Sequence, residues 1–386
     1  MVQRLIRRRL LLALLSVLAL LATACGDDGG DAAPADEGAP VEGSELPADD
    51  GVDTPADGTE APAEGTEGTE GSAAAFDCSM LEGETVTLVV PFSPGGGYDS
   101  YARMIAPFLS EQLGADVIVE NQPGAGGLLA INSLLTAEPD GTTMAIMNAV
   151  GAGGGAIAEA EGVQFELDQL SYIGRVGASY HVFVTGSDSQ YETWEDVLAA
   201  DSFRYGSTGP GAADFVNGNL LNSIFEQDWN IVTGFEGSEE NELAVTRGDV
   251  DGMTGDFDSR YPAIESGDHR ALLLLGPEPD ERVPDVPALL ELDLDDRQQQ
   301  LSQGLVDLLD FGRPIVGPPG MPEENLACVR GALQAAVEDP ELVEQSESTG
   351  RPIAWMTGED LEGLVARLLD ASPEFQQVLQ EAYSSG

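Results

Sequence analysis

The groups best placed to do chemistry in this 386-residue chain are backbone amides rather than side chains. Two glycine turns, Pro94-Gly95-Gly96-Gly97 and Pro123-Gly124-Ala125-Gly126-Gly127, each follow a β-rich run and precede a helical stripe. Such turns set N–H groups and helix N-termini around one crevice, where open α/β sheets bind ligands. An anion is the natural guest, because helix starts carry partial positive charge and unpaired donors. A third loop, Tyr205-Gly206-Ser207-Thr208-Gly209-Pro210-Gly211, repeats the pattern. Either of the first two loops alone reads equally well as a tight turn that needs positive φ. The three together favour a ligand. The dinucleotide fingerprint is not met, since Gly124-Ala125-Gly126 runs into Gly127-Leu128-Leu129 without its third glycine.

Side-chain chemistry is scarce. All 16 basic residues are Arg, so there is no Lys for a Walker A loop, a Schiff base or kinase phosphate pairing. A formal net charge of −53 argues against electrostatic nucleic-acid binding. His181 and His269 are the only histidines, too few for a multi-histidine metal site, and neither metal nor cofactor is expected. The segment Gly206-Ser207-Thr208-Gly209 approaches a nucleophile elbow, but Tyr205 stands where the first glycine belongs. His181, nearest in sequence, reads as an ordinary polar residue at the start of the β-rich run Val182 to Thr185. A Ser207-dependent hydrolase is the weaker alternative. The acids Asp249, Asp251, Asp256 and Asp258 fail the EF-hand spacing and read as solvated, with Asp256 as a further ligand contact.

The elements that must position these loops are legible from periodicity. Thr85 to Pro91 reads as a buried parallel strand. A helix capped by Asp99 or Ser100 then runs to Leu113, with a kink or early break expected at Pro107. A second strand covers Asp116 to Glu120, a second helix Leu128 to Ala137, and a third strand Thr142 to Met147. Strand, glycine turn, helix, repeated, gives a βαβαβ unit with right-handed crossovers.

The N-terminus reads as an export signal over residues 1–24: Arg4, Arg7, Arg8 and Arg9 precede the apolar run Leu10 to Leu21. About fifteen apolar residues fall short of the roughly 20 needed to span a bilayer. Leu21-Ala22-Thr23-Ala24-Cys25 resembles a bacterial lipobox, which makes Cys25 the expected lipidation site and the expected location extracytoplasmic, lipid-anchored to the cell membrane. The partial twin-arginine look of Arg7-Arg8 leaves the export route open. From Gly26 to Ala75 the chain holds 15 acids, no Arg and scarcely an aliphatic side chain. It cannot bury enough apolar surface to offset chain entropy, so residues 25–83 are expected to form an acidic disordered linker. Cys78 and Cys328 remain as a disulfide pair, or else as two buried thiols.

With these residues set out, a resemblance emerges. Val89-Val90-Pro91-Phe92-Ser93-Pro94-Gly95-Gly96, Asp99 and Ala102-Arg103 are similar to the opening of the substrate-binding proteins of tripartite tricarboxylate transporters (Bug-type extracytoplasmic receptors). Val119 to Gly127, Pro139-Asp140-Gly141, Tyr205 to Gly211, Gly234 to Gly237, Arg247 to Gly252, Arg282 to Pro287 and Gly317 to Pro322 continue the likeness in order. It covers about Glu84 to the C-terminus, with Asp214-Phe215 standing where the family usually has His-Leu.

The resemblance implies a two-lobed, type II periplasmic-binding-protein fold (a Venus flytrap), α/β, each lobe a mostly parallel sheet flanked by helices. It implies lobe 1 from residues 84–177 and 306–386 and lobe 2 from 178–305, with hinges that close on ligand. The implied function is capture of a small carboxylate, with no chemistry on it, for delivery to a polytopic permease with a small membrane subunit. A monomer is expected, and a non-transport sensor or adhesive lipoprotein is the other reading. Carried over, the ligand-binding residues are Ser93, Gly95, Gly96, Gly97, Tyr98, Asp99, Pro123, Gly124, Ala125 and Gly126 in the first lobe. Ser207, Thr208, Gly209, Ala212 and Asp256 would approach from the second, beside Asn148 and Ala149 at the end of the third strand.

Overall fold

The computed structural model describes residues 76–384, Ser179 apart. The export signal, Cys25 and the linker as far as residue 75 lie outside the described residues. The linker expected to continue to residue 83 ends earlier. Leu81 is buried in the first core, Phe76 packs against it, and Cys78 is disulfide-bonded to Cys328. Two or three apolar side chains are enough to dock this acidic stretch onto the body.

Two sheets make two lobes. The first is built from β1 Thr85–Val90, β2 Asp116–Asn121, β3 Thr143–Ile146, β4 Ser171–Arg175, β10 Pro314–Gly317 and β11 Met356–Thr357, in the order β11-β4-β10-β3-β1-β2. The second is built from β5 His181–Gly186, β6 Arg204–Gly206, β7 Asn230–Val232, β8 Gly252–Asp256 and β9 His269–Leu275, in the order β7-β6-β8-β5-β9. β1 pairs in parallel with β2 and β3, as β6 does with β7 and β8. The remaining pairings in both sheets are antiparallel. The sheets are therefore mixed rather than mostly parallel: β10 and β11 run against the other strands of the first sheet, and β5 against those of the second.

β1 shows why a continuous apolar run is needed. Val86, Leu88 and Val90 face one core with Ile105 and Leu109, while Val89 faces the other with Ile131. The period of two distributes one strand between two buried faces. The helix after it, Gly97–Leu113, begins at Gly96 rather than at Asp99 or Ser100, and it continues through Pro107 without a break. Pro107 lies on the exposed face, where one missing backbone bond is tolerated beside buried Met104, Ile105 and Leu109.

The chain crosses between lobes twice, after β4 and before β10, and the two crossings lie side by side. Arg313 donates its backbone N–H to Gly177 O at 2.8 Å, and Val176 donates to Arg313 O at 3.2 Å. Gly312 has φ 60, and a Cβ there would stand 3.0 Å from Ala178 Cα, so this crossing requires glycine. The return expected near residue 305 falls inside the unbroken helix Asp296–Phe311. The last helix, Pro373–Ser384, packs against Ala213–Ile224 beside the second sheet, so the C-terminal segment straps both lobes rather than belonging to the first alone.

Candidate functional site

A cleft of about 300 Å³ opens between the lobes. Five helix starts reach it: Tyr98 of Gly97–Leu113, Ala149 and Val150 of the π-helical turn Ala149–Gly154, Ala213 of Ala213–Ile224, Ser238 of Ser238–Arg247, and Ser259 of Phe257–Glu265. Each presents the positive end of its dipole to one small volume. Among the short loops that feed them, the sequence places glycine where the backbone must turn closely.

Two arginines also line the cleft, each paired with an acid. Arg313, 8% exposed, donates from Nη2 to Asp256 Oδ2 at 3.0 Å and from Nη1 to Ala178 O at 2.6 Å. Its guanidinium lies 5.3 Å from the Tyr98 ring centroid and 5.0 Å from that of Tyr101. Burial opposes the Asp256 charge, yet Arg313 beside it holds the carboxyl below the ordinary range. Arg260, 5% exposed, pairs through Nη1 with Glu242, and its buried Nε has no hydrogen-bond partner among the described residues. Arg313 Nε is likewise buried without a partner among the described residues, and a guanidinium N–H so placed is costly until an acceptor meets it.

The neutral donors complete the lining. Tyr98 Oη donates to Asn148 Oδ1 at 3.1 Å, and burial pushes its pKa up to about 12, so it stays a phenol. His181, 6% exposed, is pushed down to about 4 by burial and is uncharged at neutral pH.

Of the residues expected from sequence, Tyr98, Asn148, Ala149, Thr208, Ala212 and Asp256 line this cleft. Ser93, Gly95, Gly96, Gly97, Asp99, Pro123, Gly124, Ala125, Gly126, Ser207 and Gly209 do not. Gly97 lines an adjoining hollow with Tyr101 and Arg351. Asp99 is a brace instead: it is 4% exposed and accepts from Gly95 N, Arg103 Nε and Asn121 Nδ2 at 2.9 Å each. Ser207 is fully buried and donates to Asp214 Oδ1, which leaves its hydroxyl no access to a substrate. Asp214 also accepts from Thr208 N and Phe215 N, both at 2.8 Å. The first and third glycine loops are thus each tied down by a carboxylate in the first turn of the following helix. The second loop reaches the cleft indirectly, through Gly126 O at 3.5 Å from Asn148 Nδ2.

The acids read as solvated are largely arginine partners. Asp251 pairs with Arg204 at 2.7 Å and Asp258 with Arg282 at 2.9 Å. Sequence reading missed Arg260 and Arg313 and set His181 aside. One signal was available: in a chain without Lys, an Arg between a helix-ending Gly312 and the strand-opening Pro314 has few bland explanations.

The fold and cleft define a two-lobed solute-binding protein. A family model described as "Tripartite tricarboxylate transporter family receptor" matches residues 101–375, and the chain belongs to that family. It is a receptor and not an enzyme. A UPF0065 protein of Bordetella pertussis is 24% identical over 291 residues, covering 72% of this chain and 84% of the relative. MatC from Rhodopseudomonas palustris, solved with bound malate, superposes with a TM-score of 0.60 at 22% identity, covering 77% of this chain and 99% of that one. Rpa4515 of R. palustris, solved with adipate, gives 0.59 at 17% identity, covering 77% and 97%. These likenesses establish the fold.

Proposed function

We propose that the receptor captures a small carboxylate, a di- or tricarboxylate or a related organic acid, in the interlobe cleft and hands it to a membrane permease of the tripartite tricarboxylate type. The observation that carries this reading is the convergence of five helix starts with the guanidinium of Arg260 on one cleft in a protein without Lys. Malate in MatC and adipate in Rpa4515 support the ligand class. On this reading Cys25 carries the lipid that holds the receptor at the outer face of the membrane, and Thr208, Ala212, Asn148 and Ala149 contact the ligand. Calorimetric titration of wild type and Arg260→Gln with di- and tricarboxylates tests it. Loss of one charge-assisted contact is expected to weaken binding about 10–100-fold; unchanged affinity in the variant removes Arg260 from the site.

A further inference from the structure

A buried chain of hydrogen bonds lies behind the cleft, and the direction in which its protons point decides what His181 shows the ligand. At its far end stands the backbone carbonyl of Asp214, which can only accept. Tyr205 Oη donates to it at 2.8 Å, so the Tyr205 proton is committed there. Tyr205 Oη lies 2.5 Å from Thr254 Oγ1, where either oxygen could donate, and it accepts from Thr254 N at 3.2 Å; with the Tyr205 proton on the carbonyl, the Thr254 hydroxyl donates to Tyr205. Thr254 Oγ1 is then left with acceptor capacity, which Asn217 Nδ2 fills at 3.2 Å. The same amide nitrogen stands 2.7 Å from His181 Nδ1, so its second hydrogen points at the ring. With the amide nitrogen facing it, His181 Nδ1 accepts, and the single proton of the neutral imidazole sits on Nε2. In this orientation Asn217 Oδ1 is buried without a partner among the described residues. No hydrogen-bond partner among the described residues falls on Nε2, which is left for the cleft that His181 lines.

We propose that His181 is a specificity-determining residue, presenting an uncharged Nε2–H donor that selects ligands with an acceptor oxygen beyond the anchoring carboxylate and rejects those with an ammonium there. The ligand class becomes hydroxy, keto or polycarboxylic acids over plain aliphatic or amino acids. This rests on the carboxylate reading given above. The charged groups felt by His181 are Asp256, which favours protonation, and Arg313 and Arg260, which oppose it. Burial outweighs them all and keeps the ring neutral. Asn217, fully buried beneath it, is the positioning residue.

The test has two arms. With only two histidines in the chain, ¹⁵N–¹H NMR of the full ligand-free protein, assigned with His269→Gln, reads the tautomer directly. The expected spectrum has the His181 proton on Nε2; a proton on Nδ1 overturns the proposal before any ligand is added. In the second arm, matched acids differing at one position are titrated: malate, succinate and aspartate, then lactate, propionate and alanine. Wild type is expected to prefer the hydroxy acid over its deoxy partner about tenfold. His181→Phe should lose that preference, read as the ratio of the two acids' affinities, while His181→Gln, which restores an N–H, should regain it. An unaltered preference in His181→Phe overturns the assignment and leaves the carboxylate reading standing. Absence of binding by every acid overturns the carboxylate reading, and this inference with it.

Discussion

Arg313 Nη2 lies 3.0 Å from Asp256 Oδ2, joining the return crossover to the residue that ends β8 and caps the helix Phe257–Glu265 in the opposite lobe. The pair sits where the two lobes meet, and both side chains are largely buried. It ties the geometry of the hinge to that of the cleft, since Arg313 also faces the Tyr98 ring and the carbonyl of Ala178.

Arg313→Gln removes the arginine paired with the largely buried Asp256 carboxylate. The expected loss is about 3 kcal/mol of folding stability. Arg313→Met combined with Asp256→Asn should recover much of it, because no uncompensated charge remains. Urea unfolding of the three proteins reads this directly. A double variant no better than Arg313→Gln would show that the pair acts through packing instead.

The Cys78–Cys328 bond closes a separation of 250 residues between the start of the body and the helix Glu323–Val337. In the chain-entropy model a loop this long gives up to roughly 5 kcal/mol. Reduction of the intact protein should therefore lower its denaturant midpoint strongly while ligand binding persists, as both cysteines lie away from the cleft. Equal midpoints with and without reductant would contradict the role.

Two pH windows are expected. His181 takes its proton at about 4 when folded and at its ordinary 6.5 when unfolded, with burial as the main cause. The unfolded state then binds more protons between those values. Stability present above pH 6.5 falls as pH drops toward 4, by about 1.4 kcal/mol per pH unit at most from this group. His269 is lowered by burial too and adds in the same direction. Asp99 behaves separately: the Arg103 hydrogen bonds hold it at about 2, so its brace is lost only as pH falls from its usual value through 2. Thermal midpoints of wild type and His181→Gln across pH 4–7 check the first window. The variant should show the shallower slope.

With 12 arginines against 54 acids, the chain beyond residue 75 carries −42. That field repels an anion at long range and is screened by salt. The association rate of a carboxylate is expected to rise with NaCl. A rate that falls or stays flat would mean that the cleft's own positive field controls encounter.

The first half of the body was readable because β1, the helix after it, β2 and β3 follow one another with clear periods of 2 and 3.6. The glycine turns signalled where backbone must bend, and the cleft lies beside them. What periodicity cannot give is which strands meet across a crossover. β4 and β10 pair antiparallel although some 140 residues separate them, and Arg313 enters the site through that pairing. Asp99 and Asp214 were misread or overlooked for a related reason. A carboxylate beside a glycine loop looks like a ligand contact until its hydrogen bonds are counted: Asp99 accepts from its loop, its helix and Asn121 of β2, and Asp214 from Thr208 and Phe215.

The measurement closest to the central claim is thermal unfolding of the receptor against a panel of di- and tricarboxylates, aromatic acids, amino acids, sugars and divalent metals. A ligand at 100 times its dissociation constant adds about 2.7 kcal/mol to the folded state. At least one carboxylate is predicted to raise the melting midpoint accordingly, and Arg260→Gln to remove about half of the rise or more. A midpoint raised by a sugar or a metal, with every carboxylate silent, would contradict the account.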